Sequence, residues 1–240
     1  KKSSVSRIYL PPDANCLLSV MDHCLKSKDY VNLIISGKQS QLQWLNMEEA
    51  VKHCQQGASV WHWACTDHDY KPDVVMACAG DVPTIETLAA VSLLKDKMPK
   101  LRLRVVNVVD LMSLMSPQDH PHGLDEEKFE YLFTNDVPVI FAFHGYPRVI
   151  HELIYKRPLD ERFHVHGYIE EGTTTTPFDM TACNRVSRYD LAIDAIQRLK
   201  LSSLEAENVI KEFKNKLLQS KDYIATHGQD MPEITNWQWS

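Results

Sequence analysis

Short apolar runs alternating with helical patterns constrain this chain more than any other feature. Runs at 31–35, 74–79, 101–109, 137–143 and 163–169 are bounded by turn residues, and each reads as a buried strand. Helices are signposted between them. Asp13 precedes a stripe of Leu17, Met21, Cys24 and Leu25; Asn46 precedes residues 47–56, which stop at Gly57; Gly80-Asp81 opens a helix with Leu88, Val91 and Met98. Asp125 caps a short helix ending near Thr134, and Pro147 starts another to Tyr155. Two last helices carry Tyr189, Ala192, Ile193, Ile196 and Leu199, then Ile210, Phe213, Leu217 and Ile224. This order predicts an α/β fold. It is a three-layer α/β/α arrangement around a doubly wound, mostly parallel five-stranded sheet with extra C-terminal helices. With no repeat and no dividing linker, residues 1–240 read as one domain.

Charge and hydropathy remove several function classes. A net charge of -6, with no cluster of Lys and Arg, argues against nucleic acid, which is bound by displacing counterions with basic side chains. Apolar runs such as 137–143 fall far short of the ~20 residues a membrane helix needs, so no membrane partner is expected. The six cysteines stand singly in apolar patterns without a CxxC, which predicts reduced thiols and a cytoplasmic location.

Familiar catalytic signatures are missing. Neither GxGxxG nor GxxxxGK[ST] occurs, there is no Gly-x-Ser-x-Gly elbow, and no catalytic residue is assigned. Gly80-Asp81 invites comparison with the Gly-Asp-Gly of a thiamine diphosphate and metal site, but Val82 replaces the second glycine and Asp81 reads as a helix cap. His164 and His166, two apart on a strand, share a face at ~7 Å without a third metal ligand and read as satisfied polar residues. His120 and His122, in a Pro-rich loop, read as solvated. The threonines 173–176 suit an interface segment better than a phosphate cradle. Trp44, Trp61 and Trp63 suit packing or subunit contact, and Trp237 and Trp239 in the tail suggest a subunit or domain contact, where aromatic residues are enriched.

Strand ends are the remaining lead, because ligands of open α/β sheets bind beyond the carboxyl ends of the strands. The run at 31–35 closes at Ser36-Gly37, which delivers Lys38 and Gln39 to such a position; His144 follows the run at 137–143 in the same way. Lys38 is then either a solvated lysine or an anion ligand.

Several stretches, in order, resemble the C-terminal domain of phosphoketolases: RIYLPPDANCLL, NLIISGKQSQLQWL, ACAGDVPTIETLAA, LRVVNVVDLMSL, FAFHGYPRVIHELIYKRP, FHVHGYIEEGTTTTPFDM and ITNWQWS. The likeness implies a transketolase C-terminal-domain-like fold, with residues 1–12 leading in from a preceding domain. It also implies an aldehyde-lyase cleaving xylulose 5-phosphate, often fructose 6-phosphate too, with inorganic phosphate to acetyl phosphate and an aldose phosphate. In such enzymes thiamine diphosphate and Mg²⁺ sit in N-terminal domains, and the full-length protein is a homodimer. This chain would hold no cofactor and no metal, would pack on those N-terminal domains, and would be inactive alone. Within it the resemblance gives Lys38 of SGKQ the role of pairing with the sugar's phosphate, assisted by Gln39; His144 is added from its strand-end position. A regulatory or protein-interaction module binding an anionic effector is the alternative.

Overall fold

Residues 3–68, 70–157, 160–169, 174–199 and 203–239 are described by the computed structural model. The central sheet holds β3 (Ala58–Val60), β4 (Val74–Ala79), β5 (Leu103–Val108), β6 (Val139–Phe143) and β7 (Phe163–Gly167), in the order β3-β5-β4-β6-β7. All its pairings are parallel except β3 with β5. Every residue of β4 is buried, as expected of a strand covered on both faces.

Side-chain alternation along β4 divides the core in two. Val74, Met76 and Cys78 face one layer with α3 (Asp81–Lys97), α7 (Arg188–Arg198) and α8 (Leu204–His227), through Leu88, Val91, Leu191, Ile196 and Phe213. Val75, Ala77 and Ala79 face the other, with α4 (Glu126–Phe133) and α5 (Pro147–Ile154), through Phe129, Phe133, Ile150 and Ile154. The expected three layers are present. Smaller elements complete the chain: β1 (Ser6–Tyr9), α1 (Ala14–Lys26), β2 (Val31–Ile34), α2 (Met47–Gln56), α6 (Pro177–Cys183) and α9 (Pro232–Thr235).

Local chemistry sets the helix ends. The Asp13 carboxylate accepts the Cys16 N–H at 2.8 Å, and Asn46 forms a reciprocal capping box with Glu49 before α2, which ends at Gly57 with φ 75°. Asp125 caps α4 through the Lys128 N–H. A buried ion pair locks α3 to α7: Arg188 donates to Glu86 from its backbone N–H, Nε and Nη2 at 2.7–3.0 Å. Inside α2, His53 joins Ser59 and Asn107 at 2.7 and 2.8 Å, and Asn107 donates to Thr84.

Three expectations are corrected. The run at 31–35 is not a buried strand of the main sheet: β2 pairs in parallel with β1 in a separate two-stranded sheet. Ile34 packs toward Val20 of α1, while Val31 and Leu33 on the opposite face are 65% and 50% exposed. Its place in the five-stranded sheet is taken by β3, a short edge strand. His120 and His122 are not solvated; His120 is buried and donates from Nε2 to Ser6 O, and His122 pairs with Asp110. Of the threonine run, residue 173 lies outside the described residues; Thr175 and Thr176 bind Asp179, and Thr176 caps α6. The tail tryptophans find shelter within the chain, since Trp237 lies 6.4 Å from Trp44 and Trp239 stands edge-on to Trp63 at 5.3 Å. Trp63 also stacks with Trp44 and Trp61, so all five tryptophans of the chain join one cluster. The third correction concerns Asp81 and belongs to the site.

Candidate functional site

Strand order reverses between β4 and β6: the chain leaves β4 through α3 to β5 on one side, then crosses to β6 on the other. Beyond the carboxyl ends of such a pair the loops diverge and leave a crevice. Two residues frame it here, Asp81 after β4 and His144 after β6.

Gly80 makes their approach feasible. Its φ of 109° and ψ of 161° suit glycine alone, and a Cβ there would lie 2.7 Å from that of His144. The His144 N–H meanwhile donates to Ala79 O at 3.1 Å.

Asp81 was expected to be a helix cap; it is instead the first residue of α3, and Gly80 precedes it without any side chain to cap. Freed from that role, the buried carboxylate reaches across the fold. Its Oδ2 accepts the Gly37 N–H at 2.7 Å, and its Oδ1 accepts the Val82 N–H at 2.8 Å. His144 Nδ1 stands 3.5 Å from Oδ1, too far for a formed hydrogen bond. Gly37 must be glycine for this grip, since a Cβ would fall 2.1 Å from Oδ2. Burial pushes the Asp81 carboxyl up, but His144 and the amides of Val82 and Gly37 outweigh it and hold the group below the ordinary carboxylate range.

The wall is completed by Tyr168, whose ring lies 5.1 Å from that of His144. Burial, with the charges of Glu86 and Asp81, pushes its phenol up to about 12. Lys38 and Gln39 follow Gly37 directly and are both exposed.

Lys38 follows Gly37, whose N–H binds the carboxylate that His144 faces, although the strand expected to deliver Lys38 is not part of the main sheet. Nothing fixes Gln39 comparably. Sequence reasoning missed Asp81 as the hub and Tyr168 as the wall. For Asp81 a signal existed in the Gly80-Asp81 pair after a strand; for Tyr168 only its position at the end of an apolar run was visible. His166 is satisfied as expected, by Arg185 O and the Asp194 carboxylate at 2.7 and 2.9 Å.

Each Asp81 oxygen accepts one backbone amide, at 2.7 and 2.8 Å. Among the described residues no group of three or more His, Cys, Asp or Glu is placed to hold a metal ion.

Solved structures define the class. Transketolase from Pichia stipitis (mutant H261F) superposes with a TM-score of 0.60 at 14% identity, covering 82% of this chain and 25% of that one. Transketolase from Leishmania mexicana gives 0.57 at 12%, covering 82% and 25%. A split gene transketolase described as an inactive beta4 tetramer gives 0.59 at 14%, covering 83% of this chain and 59% of that one. The fold is that of a transketolase C-terminal domain. Sequence narrows the class: residues 38–239 match the family described as the XFP C-terminal domain, and residues 1–27 match D-xylulose 5-phosphate/D-fructose 6-phosphate phosphoketolase. Probable phosphoketolases of Brucella abortus and of Rhodopseudomonas palustris (strain HaA2) are 57% and 58% identical over the whole chain. The chain belongs to the phosphoketolase C-terminal domain family. It spans 30% of the length of these curated relatives.

Proposed function

We propose that the chain acts as the C-terminal domain of a phosphoketolase that cleaves xylulose 5-phosphate and fructose 6-phosphate with inorganic phosphate, yielding acetyl phosphate and an aldose phosphate. In this reading the chain supplies no cofactor ligand. Thiamine diphosphate and Mg²⁺ are assigned to N-terminal domains, within the part of the relatives' length that this chain does not span, and the full enzyme is a cytoplasmic homodimer. Residues 1–12 lead in from the preceding domain.

The carrying observation is the 2.7 Å hydrogen bond from the Gly37 N–H to Asp81, which anchors the Ser-Gly-Lys-Gln segment to the switch-point crevice. A fixed Gly37 limits where Lys38 can swing, so an exposed ammonium is presented beside the crevice at reduced entropic cost. Lys38 pairs with the phosphate of the sugar, Gln39 assists, and His144 lines the crevice. Holding this remote group aligns the reacting carbonyl in a neighbouring domain. The bare apolar face of Val31 and Leu33, a few residues upstream, supports a domain contact there, since exposed apolar patches mark interaction surfaces.

The test is Lys38→Ala in the full-length enzyme. It should weaken productive use of the phosphorylated donor by about 2–3 kcal/mol, the worth of a charge-assisted hydrogen bond in a partly buried place. Lys38→Arg should restore part of the loss, because arginine keeps the charge but not the shape. A donor without the phosphate should be indifferent to both changes. Equal slowing of both donors would remove Lys38 from phosphate recognition.

A further inference from the structure

Away from the crevice, α1 and α2 pack side by side and bring two free thiols together. Cys16 is fully buried, whereas Cys54 is half-buried and lines a groove of about 1050 Å³ with Ser19, Gly57, Ser59, Trp61 and His122. Cys54 Sγ stands 3.6 Å from Cys16 O, and the Cys54 side chain packs against the core cluster that contains Cys16. Cys54 borders the groove. Cys16 waits behind it.

We propose that Cys54 and Cys16 form an oxidisable pair, in which a peroxide entering the groove attacks Cys54 and Cys16 then closes a disulfide. In the first step the Cys54 thiolate takes the terminal oxygen of the peroxide: an S–O bond forms, the O–O bond breaks, and hydroxide, or alkoxide from an organic peroxide, leaves. Sulfur loses two electrons and the peroxide gains them. In the second step the Cys16 sulfur attacks the Cys54 sulfenic acid, the S–S bond forms, and water departs with the thiol proton.

Chemistry around the pair favours that order. The neighbouring Cys16 is the largest influence on the Cys54 thiol and lowers it, with help from Ser19 against burial, while Cys54 and burial raise Cys16. Thiolate character and access together select the cysteine that oxidises first, and a neighbouring thiol diverts it from further oxidation. Cys65 and Cys78 differ, since burial pushes each up to about 11. The pair also connects to residues 44–45 through Asp13. Asp13 accepts the Cys16 N–H on Oδ1 and the Trp44 and Leu45 N–H groups on Oδ2 at 3.1 and 3.0 Å, so a disulfide would tie both helices beside residues 44–45.

Peptide mapping tests this on the full-length polypeptide that carries the chain, treated with hydrogen peroxide, alkylated under denaturing conditions and read by mass spectrometry. A linked Cys16–Cys54 peptide pair should form, both residues should lose alkylation, and dithiothreitol should reverse it; Cys65 and Cys78 should stay alkylable. In Cys16→Ser, Cys54 should become a dimedone-reactive sulfenic acid. Linkage of either residue to another cysteine, Cys54 reaching the sulfinic acid without a link, or both thiols surviving peroxide that oxidises free cysteine would overturn the proposal. Because the unsubstituted protein alone gives this map, a variant that fails to fold does not blunt the test.

Discussion

Gly80 and Asp81 carry the sharpest consequences at the residue scale. Gly80→Ala forces a side chain into a conformation tolerated by glycine and into His144, so a loss of about 1–3 kcal/mol is expected by urea denaturation. Asp81→Asn keeps the shape but loses the charge facing His144 and an acceptor for one of its two amides, with an expected cost of about 1–3 kcal/mol. Its pH signature follows from the depressed folded value. The Asp81 contribution is complete above the ordinary carboxylate value of about 3.9 and is lost as pH falls through the lower folded one. Asp81→Asn should therefore flatten the acid end of the stability profile, read as unfolding free energy against pH. Much of this was written in the chain: a glycine and an acid straight after a buried strand mark a special turn. That the acid grips an amide 44 residues earlier was not, because such a bond depends on where the fold carries Gly37.

Elements were legible where local chemistry decides them. Asp13, Asn46, Gly57, Asp125 and Pro147 bound the helices they were expected to bound, because caps and prolines act within one turn. Four of the five main-sheet strands announced themselves as apolar runs. The two misjudged strands show the limit. β2 has the composition of a buried strand but pairs with β1, and β3, with three residues, is too short to leave a pattern. Pairing between distant segments also produced the Glu86–Arg188 lock between α3 and α7. Glu86→Ala should destabilise the fold by about 3–5 kcal/mol in chemical denaturation, because it strands a buried guanidinium. A paired Glu86→Gln, Arg188→Met exchange should recover much of the loss, since an apolar replacement removes the stranded charge.

At the scale of the whole molecule, three histidines weigh on the acid tolerance. Burial is the largest influence on His53, His120 and His164 and lowers all three, His53 to about 4. The unfolded chain then binds more protons than the folded one below the ordinary value of about 6.5, so stability should fall as pH drops from there toward 4. For His53 alone the shift corresponds to roughly 3 kcal/mol. Equilibrium urea unfolding at stepped pH would show it; a flat profile across that window would contradict the burial argument. The isolated chain is also expected to fold, on the strength of its two-sided core, yet to release no acetyl phosphate in a phosphate-dependent assay.

The tryptophan cluster gives the molecule a built-in optical gauge. Indoles held 5.3 to 6.4 Å apart share their excited states, so their absorption should appear in circular dichroism as a paired band of opposite signs. Two of the five chromophores, Trp237 and Trp239, belong to the tail and three to the segment before β4. Peeling the tail from the body would erase part of that signature while the peptide-bond signal of sheet and helices stays intact. The last few residues can thus be watched coming undone separately from the core, by light alone and without any attached label.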